Sequence, residues 1–309
     1  MIKIYKTTEQ GLEELPEMVK GCWIRAVDPT PEEIRQLRDL AIPAEFITYP
    51  LDQDERARVE KGDDYTLIVL RVPVYQGPTA DVPYNTMPLG IVLDSGWILT
   101  ICKREYETLQ EFAAGRARGL STAKRNRFVL HLLLNTATRY LSYLREVNKA
   151  VEHLEDQLQQ STRNRELLEL LKYQKSLVYF TTALKSNELM MERLQRGQFF
   201  KTFPDDEDLL EDALTENQQA IEMTSIASNI LSSMMDAFAS IINNNMNIVM
   251  KLLTAATIII MLPTLITSFY GMNVKLPLQE WSFTSPLIIL VGLVVALVVA
   301  RIFIVRDWM

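Results

Sequence analysis

Residues 252–274 read LLTAATIIIMLPTLITSFYGMNV, and residues 281–300 read WSFTSPLIILVGLVVALVVA. Neither stretch contains a charged side chain. A helix needs about 20 apolar residues to cross the roughly 30 Å of hydrocarbon in a bilayer, and each stretch has that length. A buried helix of a soluble protein would account for one such run. Two in tandem at the end of a chain predict two transmembrane helices. The connection between them, residues 275–280, is short enough to force an antiparallel hairpin. Lys251 precedes the first span and Arg301 and Arg306 follow the second, against Lys275 alone in the outer loop. Positive residues favour the cytoplasmic side, which places both termini in the cytoplasm of a multi-pass protein of the cell (plasma or inner) membrane. Trp281 and Trp308 fit the role of interfacial anchors. The opening MIKIYK of residues 1–6 lacks the apolar core of a signal peptide.

Upstream of the membrane segments the character of the chain changes. Charged residues make up 23% of the 309 positions, and they are frequent up to Lys251 and sparse beyond it. The formal net charge of −7 argues against a nucleic-acid partner. Cys22 and Cys102 are isolated, form no disulfide framework, have no metal-ligand spacing, and fit a reducing cytosol. The first hundred residues mix two periodicities. Strand-like runs occur at 2–5, 22–27, 65–75, 90–93 and 97–102. Thr30-Pro31-Glu32-Glu33 opens a helix with an N-cap and proline in its first turn. Gly77-Pro78 and Val82-Pro83 mark a loop. These features predict an α/β domain with a mixed sheet.

From Ser121 onward the apolar spacing is helical. Residues 121–160 and 164–194 form two long helices, the second ended by Arg196-Gly197. A third begins at Pro204-Asp205-Asp206-Glu207-Asp208, where acids suit the positive end of the helix dipole. No glycine follows until Gly271, and the next proline is Pro263. One helix is therefore expected from about Asp205 to Tyr270, on the order of 100 Å long. Such a helix needs neighbours, and copies of itself are the economical ones. The expected division is 1–120 as a cytoplasmic α/β domain and 121–204 as a cytoplasmic helical hairpin. Residues 205–274 are the stalk helix running into the first span, 275–280 the outer loop, 281–300 the second span and 301–309 a cytoplasmic tail.

Gly271-Met272-Asn273 stands where the first of the two spans leaves the membrane. With the long preceding helix and the α/β N-terminus, this tail resembles the CorA family of magnesium channels over essentially the whole chain. The resemblance implies a funnel-shaped homo-oligomer, a pentamer, whose pore is lined by the first span. It implies Mg²⁺ as both the transported and the regulatory ion, and Gly271, Met272 and Asn273 as the selectivity filter. The chemistry agrees. Mg²⁺ is small, hard and reluctant to lose water, and a ring of Asn273 amide oxygens would replace or contact its hydration shell. Gly271 would permit a tight turn and close approach. Met272 is read as packing.

Asn247, Met250, Thr254, Thr257, Met261, Thr264 and Ser268 recur at alternating spacings of 3 and 4, the seam of a left-handed bundle. They are the expected pore lining, with Leu253 beside Met250 forming a hydrophobic constriction at the cytoplasmic end. The same threonines and serine would also serve ordinary helix packing. No acid lies within either span, so no proton relay is available. The membrane potential is then the driving force, roughly 4–5 kcal/mol for a divalent ion across roughly 100 mV. Glu280 is the one acid of the outer loop, opposed there by Lys275.

The acids Asp205, Asp206, Glu207, Asp208, Glu211 and Asp212 suit a solvated helix start. By resemblance they also suit a cytoplasmic Mg²⁺ sensor that holds the channel closed. Asp212 matches the family's sensor position, with Asp208 beside it and Asp81 as a suggested partner from the α/β domain. The alternative function is transport of another divalent metal, Zn²⁺, Co²⁺ or Ni²⁺, on the same scaffold. The absence of His or Cys near the pore disfavours zinc. An enzyme is not expected: no phosphate-binding glycine loop occurs, and His131 and His153 sit on a long helix without partners.

Overall fold

The computed structural model describes all residues except 10, 41, 63, 95, 118, 161–163, 198–203, 275, 278–280 and 307–309, and leaves aside the side chains of 159, 160, 164, 204 and 205. The chain divides into two compact units, Met1–Met234 and Met235–Met309. The first opens with strands β1 (Ile2–Thr8), β2 (Gly11–Leu15) and β3 (Cys22–Val27), followed by helices α1 (Pro31–Arg38) and α2 (Ala44–Thr48) and a 3-10 turn at Tyr49–Leu51. Strands β4 (Arg58–Lys61), β5 (Thr66–Tyr75), β6 (Tyr84–Leu93) and β7 (Trp97–Cys102) come next. Helices α3 (Glu107–Ala113), α4 (Arg125–Gln160) and α5 (Asn164–Arg196) then precede α6 (Pro204–Tyr270), which ends in the second unit, where α7 (Thr284–Val305) follows.

The sheet runs β2-β1-β3-β7-β6-β5-β4, with β3 and β7 parallel and every other pair antiparallel. Side chains alternate across a strand, so β5 feeds two cores. Ile68, Leu70 and Val72 face a core shared with Phe112 of α3, Phe128 and Leu132 of α4, Met190 and Leu194 of α5, and Leu210 and Ala213 of α6. Leu67 and Val69 face the other, with Leu37 of α1 and Phe46 and Ile47 of α2. Each fully buried side chain of the larger apolar kinds contributes about 1.5–3 kcal/mol. The mixed sheet expected from the sequence is therefore present, sandwiched between helices.

Local signals explain the element starts. Thr30 Oγ1 accepts from the Glu33 amide at 3.2 Å, and Glu33 Oε2 accepts from the Thr30 amide at 2.7 Å, a reciprocal cap. The helix expected from 121 begins at Arg125, because residues 121–124 form a turn. The loop expected at Gly77 and Pro83 separates β5 from β6. Cys22 and Cys102 are free and buried.

Two tertiary devices hold the β4 side of the sheet. Beyond Arg58, β4 no longer pairs with β5. Asn187 of α5 takes over: its Oδ1 accepts from the Arg71 amide at 2.9 Å and its Nδ2 donates to the Arg71 carbonyl at 2.8 Å. On the next strand, Gly90 of β6 lies under Pro50, where an added Cβ would overlap the proline ring. Gly90→Ala is expected to destabilise the protein by about 1–3 kcal/mol, the usual range for overpacking a core. An unchanged melting temperature would show that the 3-10 turn yields without loss.

Candidate functional site

The second unit contains the end of α6 and all of α7. Both helices are long and apolar enough to cross a membrane by length and composition. Pro263 lies inside α6 and removes the amide that would bond the Ile259 carbonyl. The helix continues through it. Opposite the proline, α7 presents Gly292: a Cβ there would lie 3.4 Å from Pro263 Cβ and 3.5 Å from its Cα. A small residue lets the two backbones come together at that point.

The stripe of Asn247, Met250, Leu253, Thr254, Thr257, Met261, Thr264 and Ser268 is exposed throughout. Leu252, Ile260, Leu265 and Phe269 are exposed as well, so exposure alone does not single the stripe out. The hydroxyls are more informative. Thr257 Oγ1 donates to the Leu253 carbonyl and Thr264 Oγ1 to the Ile260 carbonyl, each at 2.8 Å. Their protons are used within the helix, and each oxygen keeps lone pairs for an outside donor. Continuing the alternating spacing backward from Asn247 reaches Asn243, Ser240 and Asp236, all exposed. The sequence reading stops at Asn247; the same repeat carried further finds Asp236, an acid on this line.

After Tyr270 the chain turns. The Gly271 amide donates to the Thr267 carbonyl at 3.0 Å and the Ser268 carbonyl at 3.2 Å. Gly271 does not occupy the left-handed backbone region, and an added Cβ would meet only those carbonyls, at 3.4 Å. The expected reason for this glycine, a tight turn, is thus not required by the chain's own conformation. Met272 is 52% exposed, and Asn273 is exposed with no side-chain hydrogen bond among the described residues. Glu280, Lys275 and Trp308 lie outside the described residues.

The acidic cluster separates into two kinds of residue. Asp206 is buried and receives a 2.7 Å hydrogen bond from Arg127 Nε of α4. Its role is to anchor the start of α6, which corrects its reading as part of a solvated helix start. Glu207, Asp208, Glu211 and Asp212 are at the surface, as is Asp81. No group of three His, Cys, Asp or Glu side chains able to hold a metal occurs among the described residues. His153 is not without a partner, since its Nε2 lies 3.0 Å from Gln157 Nε2. His131 has its pKa lowered by burial and then by Arg127.

Residues 20–306 match the family described as CorA-like Mg²⁺ transporter protein. The cobalt/magnesium transport protein CorA of Methanocaldococcus jannaschii is 32% identical over 313 residues, covering 97% of this chain and 95% of that protein. The magnesium transport protein CorA of Helicobacter pylori is 25% identical over 272 residues, covering 84% and 82%. The complete structure of the Methanocaldococcus jannaschii CorA magnesium transporter superposes with a TM-score of 0.85 at 26% identity, covering 100% of this chain and 99% of that one. Agreement of this extent, in sequence and in fold, makes the protein a transporter rather than an enzyme: the chain belongs to the CorA-like Mg²⁺ transporter family.

Proposed function

We propose that the chain is one subunit of a homo-oligomeric channel, a pentamer by resemblance, that admits Mg²⁺ down the membrane potential and is closed by cytoplasmic Mg²⁺. Both termini lie in the cytoplasm. The observation that carries this reading is Asn273, whose exposed amide has no partner among the described residues just beyond the end of an apolar helix. Repeated around an axis, that amide forms a ring of neutral oxygens suited to a hydrated divalent cation. The close approach of neighbouring copies supplies the reason for Gly271 that the turn itself does not. Lone pairs of Thr257 and Thr264 accept hydrogen bonds from the cation's water, and Met250 and Leu253 form the apolar constriction. The name of the archaeal relative extends the cargo to Co²⁺.

Mg²⁺ uptake into proteoliposomes under a negative-inside potential tests the reading. Uptake that follows the potential and falls as internal Mg²⁺ rises supports it; uptake independent of the potential overturns it. Thr264→Leu is expected to cut uptake by about tenfold, since it replaces an oxygen with a bulky apolar group worth roughly 1.4 kcal/mol or more against a polar ion. An unchanged rate would move the pore to another face of α6.

A further inference from the structure

The first unit contains a cleft of ≈ 550 Å³ between the β4 edge and α5. Arg56 and Arg58 line one wall, and Lys185 and Arg193 line the other, with Leu189 and Met190 between them. No acid lines it among the described residues. In a chain of net charge −7 this is an unusual concentration of cations. Arg58 is fixed by Glu55 and Glu60 and lies over the Tyr49 ring. The side chains of Arg56, Lys185 and Arg193 form no ion pair among the described residues, although the Arg56 amide donates to Glu55 Oε1 at 3.1 Å. Glu188 and Glu192, the acids of α5 nearest in sequence to Lys185 and Arg193, line a different groove.

Arg58 is balanced by Glu55 and Glu60, and the three cations left without an ion pair among the described residues favour a bound anion. Lys185 and Arg193 are two turns apart on one face of α5, about 12 Å along its axis. Leu189 lies midway and is 63% exposed. A ligand that uses the whole cleft needs anionic and apolar parts together, and the cleft's volume is in the range of small-molecule sites. Arginine forks match phosphate oxygens. We propose that this cleft binds a nucleoside phosphate, with the phosphate on the cations and the base over the exposed Leu189.

Calorimetric titration of the full-length protein in neutral detergent with AMP tests this, in buffer holding EDTA so that no Mg²⁺ bridges the phosphate to surface carboxylates. Saturable binding is expected, weaker by about tenfold in Lys185→Ala/Arg193→Ala. Lys185→Arg should retain binding, and so should Glu222→Gln in the other groove. Binding that survives the double substitution, or inorganic phosphate binding as tightly as AMP, would overturn the proposal. Short-chain phosphatidic acid binding more tightly than AMP would overturn it in favour of a lipid headgroup. Absence of AMP binding to the unsubstituted protein would also overturn it, and a smaller assembly mass in the double variant would then make the cleft a contact between copies.

Discussion

Asn273→Ala is expected to lower Mg²⁺ uptake by about a hundredfold while the protein still assembles. A hydrogen bond or ligand contact to a charged group is worth about 1.5–3 kcal/mol, and roughly 2.7 kcal/mol corresponds to a hundredfold. In an oligomer every copy loses its oxygen at once, so the effect is not diluted. The side chain makes no hydrogen bond within its own chain among the described residues, so its loss should leave folding intact. Uptake in proteoliposomes, normalised to assembled protein by light scattering, separates the two effects. Normal uptake by a normally assembled variant would remove the oxygen ring from the mechanism.

Asp212→Ala is expected to raise the internal Mg²⁺ needed for half-block by about tenfold or more. Asp212 is exposed, and the described acids of one chain do not assemble a metal site. In the proposed channel the regulatory ion takes ligands from more than one copy, and losing one carboxylate weakens the closed state relative to the open one. A coupling of about 1.4 kcal/mol is enough for a tenfold shift. Asp206→Asn is the contrasting variant, because Asp206 is bound to Arg127. It should lower the melting temperature and leave the half-block concentration in place. Unchanged block in Asp212→Ala would leave that residue as a helix-start acid only.

The legible parts of the fold are those with uniform local signals. CWIRAV at 22–27 and WILTIC at 97–102 are dense in apolar residues, and both are strands with those bounds. The strand read from 90 begins at Tyr84, since the polar Asn85 and Thr86 and the prolines nearby hide its first half. Strands β2, GLEEL, and β4, RVEK, escape a sequence reading because edge strands bury few side chains. Short α2 and α3 carry too few turns for a periodic signal. The end of α5 before Gly197 and both ends of α6, at Pro204 and before Gly271, are readable from glycine, proline and charge, whereas the start of α4 at Arg125 is not. The place of Asn273 just beyond the end of α6 is legible, but the pairing of Asp206 with Arg127, 79 residues away, is not. Nothing local distinguishes that acid from Asp208, since the partner arrives only through the packing of α4.

The amide clamp of Asn187 on Arg71 also limits what the sheet can pair with. The open side of a sheet is a template on which another chain can zip. Past Arg58 the outer backbone groups of Arg71 are already occupied by a side chain of the same molecule. A neighbouring strand therefore finds no vacancy at Arg71 to extend the ladder beyond β4.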